Sequence, residues 1–385
     1  MEKENLGALR KFVVPEFVFG WGARTLLSQY AKNFAFRHPL LVSDAGVMEA
    51  GWAEDAASRL RVTNVPFSLF SRLSPNPRDH EVMEGAEFFD KEGCDSLVVV
   101  GGGSAIDTAK GIGIIISNGG HILDYEGVDK IPLPIPPLLC IPTTGSSADV
   151  SQFAIILNGA EKRKISIISK AIVPDVSLID PETSSTMDPL LTAYTGMDVL
   201  SHAFESLVSN ASSPITDLLA LEAIRLLIKH LPPESGLSDV SSRERRSAMM
   251  LSSLQAGMAF SNASLGLIHA MSHSLGGLTD TPHGECHAIL LEPVIAYNYE
   301  AAPRQYELIG EAMGLALGEN PKETLLSFIG ELKQRMGLKK RLSDLGIIRS
   351  DIPRLALGAL MDPCLVTNPR QPTLLDVESL YERAL

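Results

Sequence analysis

The amino-acid sequence predicts an α/β N-terminal domain followed by an all-α C-terminal domain. Short apolar runs alternate with helical segments as far as residue 179, one of those runs feeds a glycine-rich turn that opens a helix, and strand-like runs largely vanish after Pro189. A chain of 385 residues exceeds the usual single core, so two domains are expected, at residues 1–187 and 188–385.

The elements follow in order. FVVPEFVFGWGA, from Phe12, reads as a short strand closed by a turn at Gly20 and Gly22, and residues 23–33 read as a helix. PLLVS, at 39–43, is a short apolar run of the buried parallel kind, ending at Asp44. A strand at 65–70 leads to SPNPRD, where Asn76 sits between two prolines, and a helix follows at 79–93. SLVVV, at 96–100, enters GGGSAIDTAKGIG, and a strand at 138–141 enters PTTGSSADVS. FAIIL and KISII form a hairpin around a charged turn, and residues 173–179 form a further strand. The remainder reads as helices at 190–208, 214–231, 241–262, 264–275, 286–298, 303–316, 321–335 and 351–360, punctuated by Pro232, Pro282 and Pro321.

Composition narrows the function. The hydrophobic fraction of 45% and charged fraction of 21% belong to an ordinary globular chain. A formal net charge of -13 lacks the basic footprint that nucleic acid or an anionic membrane requires, which leaves small molecules as partners. Cys94, Cys140, Cys286 and Cys364 are scattered and form no CxxC pair, as in a reducing compartment. No signal peptide and no membrane-length apolar run is read, so a soluble, cytoplasmic protein is expected.

Two polar loops at strand ends suggest a nucleotide crevice. The glycines of GGGS let backbone approach a ligand, and Ser104 lies at a helix start, where free amides favour an anion. The pattern is neither GxGxxG nor a P-loop, and a tight strand-to-helix turn explains it equally well. Thr143, Thr144, Ser146 and Ser147 can bond phosphate or ribose, or simply cap a turn. Asp44, at a strand's carboxyl end, suits ribose hydroxyls and repels a 2'-phosphate; it also suits a helix N-cap.

The second half carries the metal chemistry. His269 and His273 are four residues apart, as are His283 and His287, and upstream Asp198 and His202 repeat the spacing. Residues four apart share one helix face, so each pair can present two donors together. A single such pair is more often an ordinary hydrogen-bonded pair. Three pairs suggest a mononuclear divalent site, and imidazoles with a carboxylate and no thiolate suit zinc or ferrous iron in a catalytic role.

Taken together, GGGSAIDTAK, the PTT loop, GMDVLSHAFE, GLIHAMSHSLGG and TPHGECHAILLEPVIAYN resemble the iron-containing (group III) alcohol dehydrogenase family almost end to end, and NPRQPTLLDVESLY is similar to its C-terminal helix. The resemblance implies a dehydroquinate synthase-like fold, with a Rossmann-like domain and a helical metal-binding domain around a cleft. It implies a metal on Asp198, His202, His269 and His283, and places His273 beside nicotinamide and substrate, for proton relay or orientation. Asp44, Asn76, Gly102, Gly103, Ser104, Asp107, Thr143, Thr144 and Lys164 would hold the cofactor, which Asp44 makes NAD rather than NADP. The expected metal is Fe2+, with Zn2+ possible, the substrate a small primary alcohol, diol or aldehyde, and the assembly a homo-oligomer, dimer or higher. A zinc-dependent polyol dehydrogenase and a non-catalytic NAD- or metal-sensing protein are the alternatives; a lyase of the dehydroquinate synthase type would need a basic cluster that the ligand segments lack. Two departures stand out. The family commonly has alanine after the paired threonines, where Gly145 directly follows Thr144, and many members carry Asn at the position of His287.

Overall fold

The computed structural model describes residues 11–145, 147, 149–231 and 242–385; Ser146, Pro232 and the expected helix start at 241 lie outside the described residues. The α/β part runs β1 (Glu16–Phe19), α1 (Leu27–Asn33), β2 (Pro39–Val42), α2 (Ala45–Glu49), α3 (Trp52–Val62), β3 (Ser68–Phe70), α4 (Asp79–Glu92), β4 (Ser96–Gly101), α5 (Gly103–Asn118), β5 (Gly127–Val128), β6 (Leu138–Pro142), β7 (Phe153–Asn158), β8 (Arg163–Ile168) and β9 (Val176–Ile179). Six strands pair in parallel in the order β1-β9-β6-β4-β2-β3. β7 and β8 form the expected antiparallel hairpin, joined by β5 in a second sheet.

Alternation along the central strands divides the core between the two faces of the sheet. Leu41, Val98, Val100, Leu139 and Ile141 pack with α1 and α3, while Leu40, Val42, Leu97, Val99 and Leu138 pack with α4 and α5. Burying each Leu or Val stabilises by about 1.5–3 kcal/mol. Two expected strands are shorter than read. Pairing begins at Ser68 rather than 65 and at Val176 rather than 173, each just beyond a proline, Pro66 or Pro174, that has no N–H to donate.

From Asp188 the chain is helical: α6 (Pro189–Val208), α7 (Pro214–His230), α8 (Arg243–Ala263), α9 (Leu267–Thr279), α10 (His283–Asn298), α11 (Pro303–Ala312), α12 (Pro321–Arg335), α13 (Ile352–Leu360) and α14 (Leu374–Ala384). Proline opens several of them, where its missing N–H costs nothing, and Asp188 and Ser213 cap α6 and α7 with side-chain oxygens. The helix expected at 264–275 is displaced to Leu267–Thr279, because Ser264 takes a left-handed φ of 64° and breaks the chain from α8. α10 starts at His283, three residues before the expected 286, directly after Pro282. Among the described residues no helix is long and apolar enough to cross a membrane.

The two parts are joined by polar and apolar contacts. Val150 and Ile179 share a small core with Met250 and Leu254 of α8. Gln152 bonds the carbonyl of Ser261 of α8, and within the α/β part the fully buried Lys110 of α5 holds that loop by tying Asp149 at 2.9 Å and the carbonyls of Ser151 and Phe153 at 3.0 and 2.8 Å.

Candidate active site

The glycine-rich turn and the threonine loop do meet. β4 and β6 are neighbours in register, Gly101 opposite Pro142, and Thr143 N–H donates to the Gly101 carbonyl at 2.9 Å. A Cβ on Gly102 would stand 2.9 Å from Thr144 Oγ1, so only glycine permits this approach. Gly103 has open space where a side chain would stand, and α5 begins there with no side-chain cap, leaving its first amides to an anionic ligand. The shortened loop backs onto α8, with Met250 Sδ 3.2 Å from where a Cβ on Gly145 would lie.

Several of the other residues expected to hold the cofactor have partners within the protein. Asp44 ends β2 and caps α2, Oδ1 accepting from Val47 N–H at 3.0 Å, while Oδ2 lies 3.4 Å from where a Cβ on Gly101 would stand. Ser104 Oγ donates to the Pro75 carbonyl. Asn76 is buried and donates to the backbone oxygen and Oδ1 of Asp280, at the end of α9, which links the α/β part to the helices. Asp107, partly exposed but densely surrounded, is pushed up to about 7 by desolvation, against the pull of Lys110 and of a hydrogen bond from the Ile155 N–H. Burial depresses the Lys164 ammonium on β8, with Cys286, Asp107, Asp280 and Asp198 opposing the shift.

On the helical side the three expected pairs converge. Asp198 and His202 come from α6, His269 and His273 from α9, and His283 and His287 from α10. α10 reaches α6 because residue 284 is glycine: a Cβ there would meet the Tyr194 carbonyl oxygen at 2.2 Å. One donor atom each from Asp198, His269, His283 and His287 lie within 4.8 Å of one another. His202 stands beside this group, its Nε2 3.9 Å from Asp198 Oδ1 and its ring stacked on His269 at 4.7 Å and on Phe260 at 4.2 Å. His283 Nε2 is also 3.9 Å from Asp198 Oδ1.

These groups fit a divalent metal. Asp198 Oδ1, His269 Nε2, His283 Nδ1 and both ring nitrogens of His287 are buried with no hydrogen-bond partner in the protein, a costly arrangement that a cation would relieve at Asp198 and at one nitrogen of each ring. Desolvation, reinforced by neighbouring imidazoles, holds His269, His283 and His287 well below the ordinary histidine range, so the rings are neutral and their lone pairs available. Cys286, on the same helix, stays a thiol, pushed up to about 12 by burial.

Carboxylates absent from the sequence reading hold the rings. Glu205 of α6 accepts from His269 Nδ1 at 2.7 Å and from the Gly266 and Ile268 N–H groups at 2.8 and 2.5 Å, so it caps α9 and turns His269 Nε2 toward the donor cluster. Asp198, His202 and Glu205 are spaced four and three apart on one helix, a signal that was present in the sequence. Asp362, depressed despite its burial by the neighbouring His273, accepts from His273 Nδ1 at 2.7 Å. That contact puts the proton on Nδ1 and leaves Nε2 as the free lone pair. Ser166 of β8 adjoins both, 3.4 Å from His273 Nδ1 and 3.3 Å from Asp362 Oδ2. Asp362 lies 89 residues from His273 and carries no local signature.

The chain matches the profiles of two families along its length, "Iron-containing alcohol dehydrogenase" over residues 15–181 and "Fe-containing alcohol dehydrogenase family, C-terminal" over residues 192–385. It is 39% identical to alcohol dehydrogenase 4 of Schizosaccharomyces pombe, over 97% of this chain and 89% of that one. Identity to the NAD-dependent methanol dehydrogenase of Bacillus methanolicus is 34%, over 97% and 99% of the two chains. The crystal structure of a 1,3-propanediol oxidoreductase superposes with a TM-score of 0.93 at 35% identity, covering 98% of this chain and 100% of its own. With its fold, its loops and its histidine-rich centre all of one pattern, the chain belongs to the iron-containing alcohol dehydrogenase family.

Proposed function

We propose that this protein is an NAD-dependent alcohol dehydrogenase and aldehyde reductase that moves hydride between nicotinamide and the carbinol carbon of a small primary alcohol or diol. The observation that carries this is the convergence of Asp198 Oδ1 with buried ring nitrogens of His269, His283 and His287 that have no hydrogen-bond partner in the protein. Asp198, His202, His269 and His283 would hold the metal, in our reading Fe2+, and Asp44, Asn76, Gly102, Gly103, Ser104, Asp107, Thr143, Thr144 and Lys164 would line the path of NAD. When bound, the metal supplies Lewis acidity at the substrate oxygen and the nicotinamide supplies the hydride acceptor.

The residues do the rest. Free amides at the start of α5 receive the pyrophosphate, and Asp44 receives the ribose hydroxyls while disfavouring a 2'-phosphate. Glu205 keeps His269 turned toward the donor cluster. His273, fixed by Asp362, takes the alcohol proton on Nε2 and returns it when an aldehyde is reduced. The boundary we propose between the domains, after residue 187, falls immediately before the Asp188 cap of α6, so the cleft lies between the loops and the helices.

The test is NADH oxidation with a panel of short aldehydes, on protein stripped of metal and reloaded anaerobically with ferrous iron or zinc. Recovery with iron is the expected result. Recovery with zinc alone would move the assignment to a zinc polyol dehydrogenase, and NADH binding with no turnover under either metal would leave only a sensing role.

A further inference from the structure

His287 is unexplained by the function just proposed. It is fully buried on α10, one turn after His283, in a chain whose family commonly places Asn there. A buried imidazole needs partners for its ring nitrogens, and neither has a hydrogen-bond partner in the protein. Its Nδ1 stands 2.9 Å from Asp198 Oδ1, but that oxygen too has no hydrogen-bond partner, so the contact lacks the geometry of a donated N–H. His287 also stands 4.3 Å from His269 and 4.1 Å from His283, ring centre to ring centre, and belongs to the group whose donor atoms lie within 4.8 Å of one another. The residue that holds the metal ligands in orientation is identifiable elsewhere: Glu205 accepts from His269 Nδ1. His287 has no such bond to give and supplies instead an additional lone pair.

We propose that His287 is itself a metal ligand, giving this chain a centre of one carboxylate and one imidazole each from His202, His269, His283 and His287. The inference rests on the metal-centre reading above. Replacing an amide by imidazole makes the donor set richer in nitrogen, and nitrogen donors favour the late divalent metals. The centre therefore prefers Co2+ or Zn2+ over Fe2+ more strongly than the same centre with Asn at 287.

Cobalt substitution tests this without relying on turnover. Wild-type protein stripped of metal and loaded with Co2+ is expected to show a hyperfine-shifted, exchangeable imidazole N–H proton for each of His202, His269, His283 and His287. In H287N the set is one short, the visible d–d bands change in intensity and position, and the Co2+ dissociation constant rises by more than the roughly 10–100-fold that loss of an outer hydrogen bond costs. The Zn2+ to Fe2+ affinity ratio falls in the same variant. If H287N does not fold, the wild-type spectrum decides alone. A wild-type signal set already one short, or d–d bands that H287N leaves unchanged, overturns the assignment of His287 while the metal centre stands. Failure of the wild-type protein to take up one equivalent of Co2+ overturns the centre and His287 together.

Discussion

The nucleotide side and the metal side are built by opposite means. The nucleotide side is largely made of backbone: amides at the start of α5, a glycine pressed against Thr144, and strand ends brought together by a parallel sheet with apolar residues on both faces. The metal side is made of side chains, carried inward on three helices and held by carboxylates buried with them. Backbone sites tolerate changes of side chain but not of shape. Side-chain sites tolerate small changes of shape but not of chemistry, because each buried polar atom depends on one partner.

The largest effect is therefore expected on the metal side from a change that keeps volume and alters chemistry. D198N removes the only carboxylate of the donor cluster with almost no change in size. A Lewis acid is worth several kcal/mol of transition-state stabilisation, so kcat/KM for aldehyde reduction should fall by roughly a thousandfold or more. NADH affinity, measured by fluorescence titration of the same variant, should stay within about twofold. A D198N protein that retains metal and most of its turnover would show that the carboxylate is dispensable and would erase the contrast between the two sides.

Next in size is D362N, which leaves His273 in place but exchanges an acceptor-only carboxylate for an amide that can also donate, so the His273 tautomer is no longer fixed. General acid–base catalysis contributes about 10²–10⁴-fold, so kcat should drop by roughly a hundredfold while metal content and NADH affinity are retained. H273Q should cost at least as much, and the double variant little more than H273Q alone, since the two residues act as one unit. Additive losses would mean that Asp362 acts by some route other than orienting His273.

The same contrast explains what was legible in the sequence. The Asp198–His202, His269–His273 and His283–His287 spacings mark one helix face each, and the glycine turn marks a strand running into a helix; such periodic or local signals survive without a structure. Asn76 is different, since its partner Asp280 is 204 residues away, and so is His273, whose partner Asp362 is 89 away. Nothing near those positions announces the pairing. The order of the parallel strands was likewise unreadable: β2 lies between β3 and β4, and β9 between β1 and β6, because helical crossovers let successive strands add on either side. Glu205 is the instructive miss. It stands on the same face as Asp198 and His202, and a charged residue on the inward face of a helix that buries most of its length needs a buried partner.

On the nucleotide side, the sharpest change is one of shape. In G102A the new Cβ would sit 2.9 Å from Thr144 Oγ1, and overpacking of this kind costs about 1–3 kcal/mol. NAD affinity should weaken roughly tenfold, with cobalt or iron content unchanged. The same overpacking should lower the melting temperature, and trimming the neighbour, as G102A with T144A, should recover part of that loss. If the double variant melts no higher than G102A, the threonine is not what the glycine accommodates.

The smallest effect concerns the one nucleotide-side group whose chemistry outweighs its shape. Asp107 is raised from 3.8 to about 7, with desolvation the largest cause. Its carboxyl therefore keeps its proton in the folded protein over a range in which the unfolded chain has lost it, so the folded state binds more protons there. The resulting stabilisation is complete below 3.8 and disappears as pH rises through about 7. In the metal-free, NAD-free protein His269, His283 and His287, held well below the ordinary histidine range, act with the opposite sign below 6.5, so the Asp107 contribution is read as the melting temperature of the wild type relative to D107N, a difference that should decline with rising pH across that window. Glu205, raised to about 7 by its own burial, contributes a decline of the same sign as Asp107 but is common to both proteins and cancels in the difference. A difference that does not decline would mean that Asp107 is ionised throughout, paired with Lys110 or Lys164, and the nucleotide side would then share the metal side's dependence on buried charge partners.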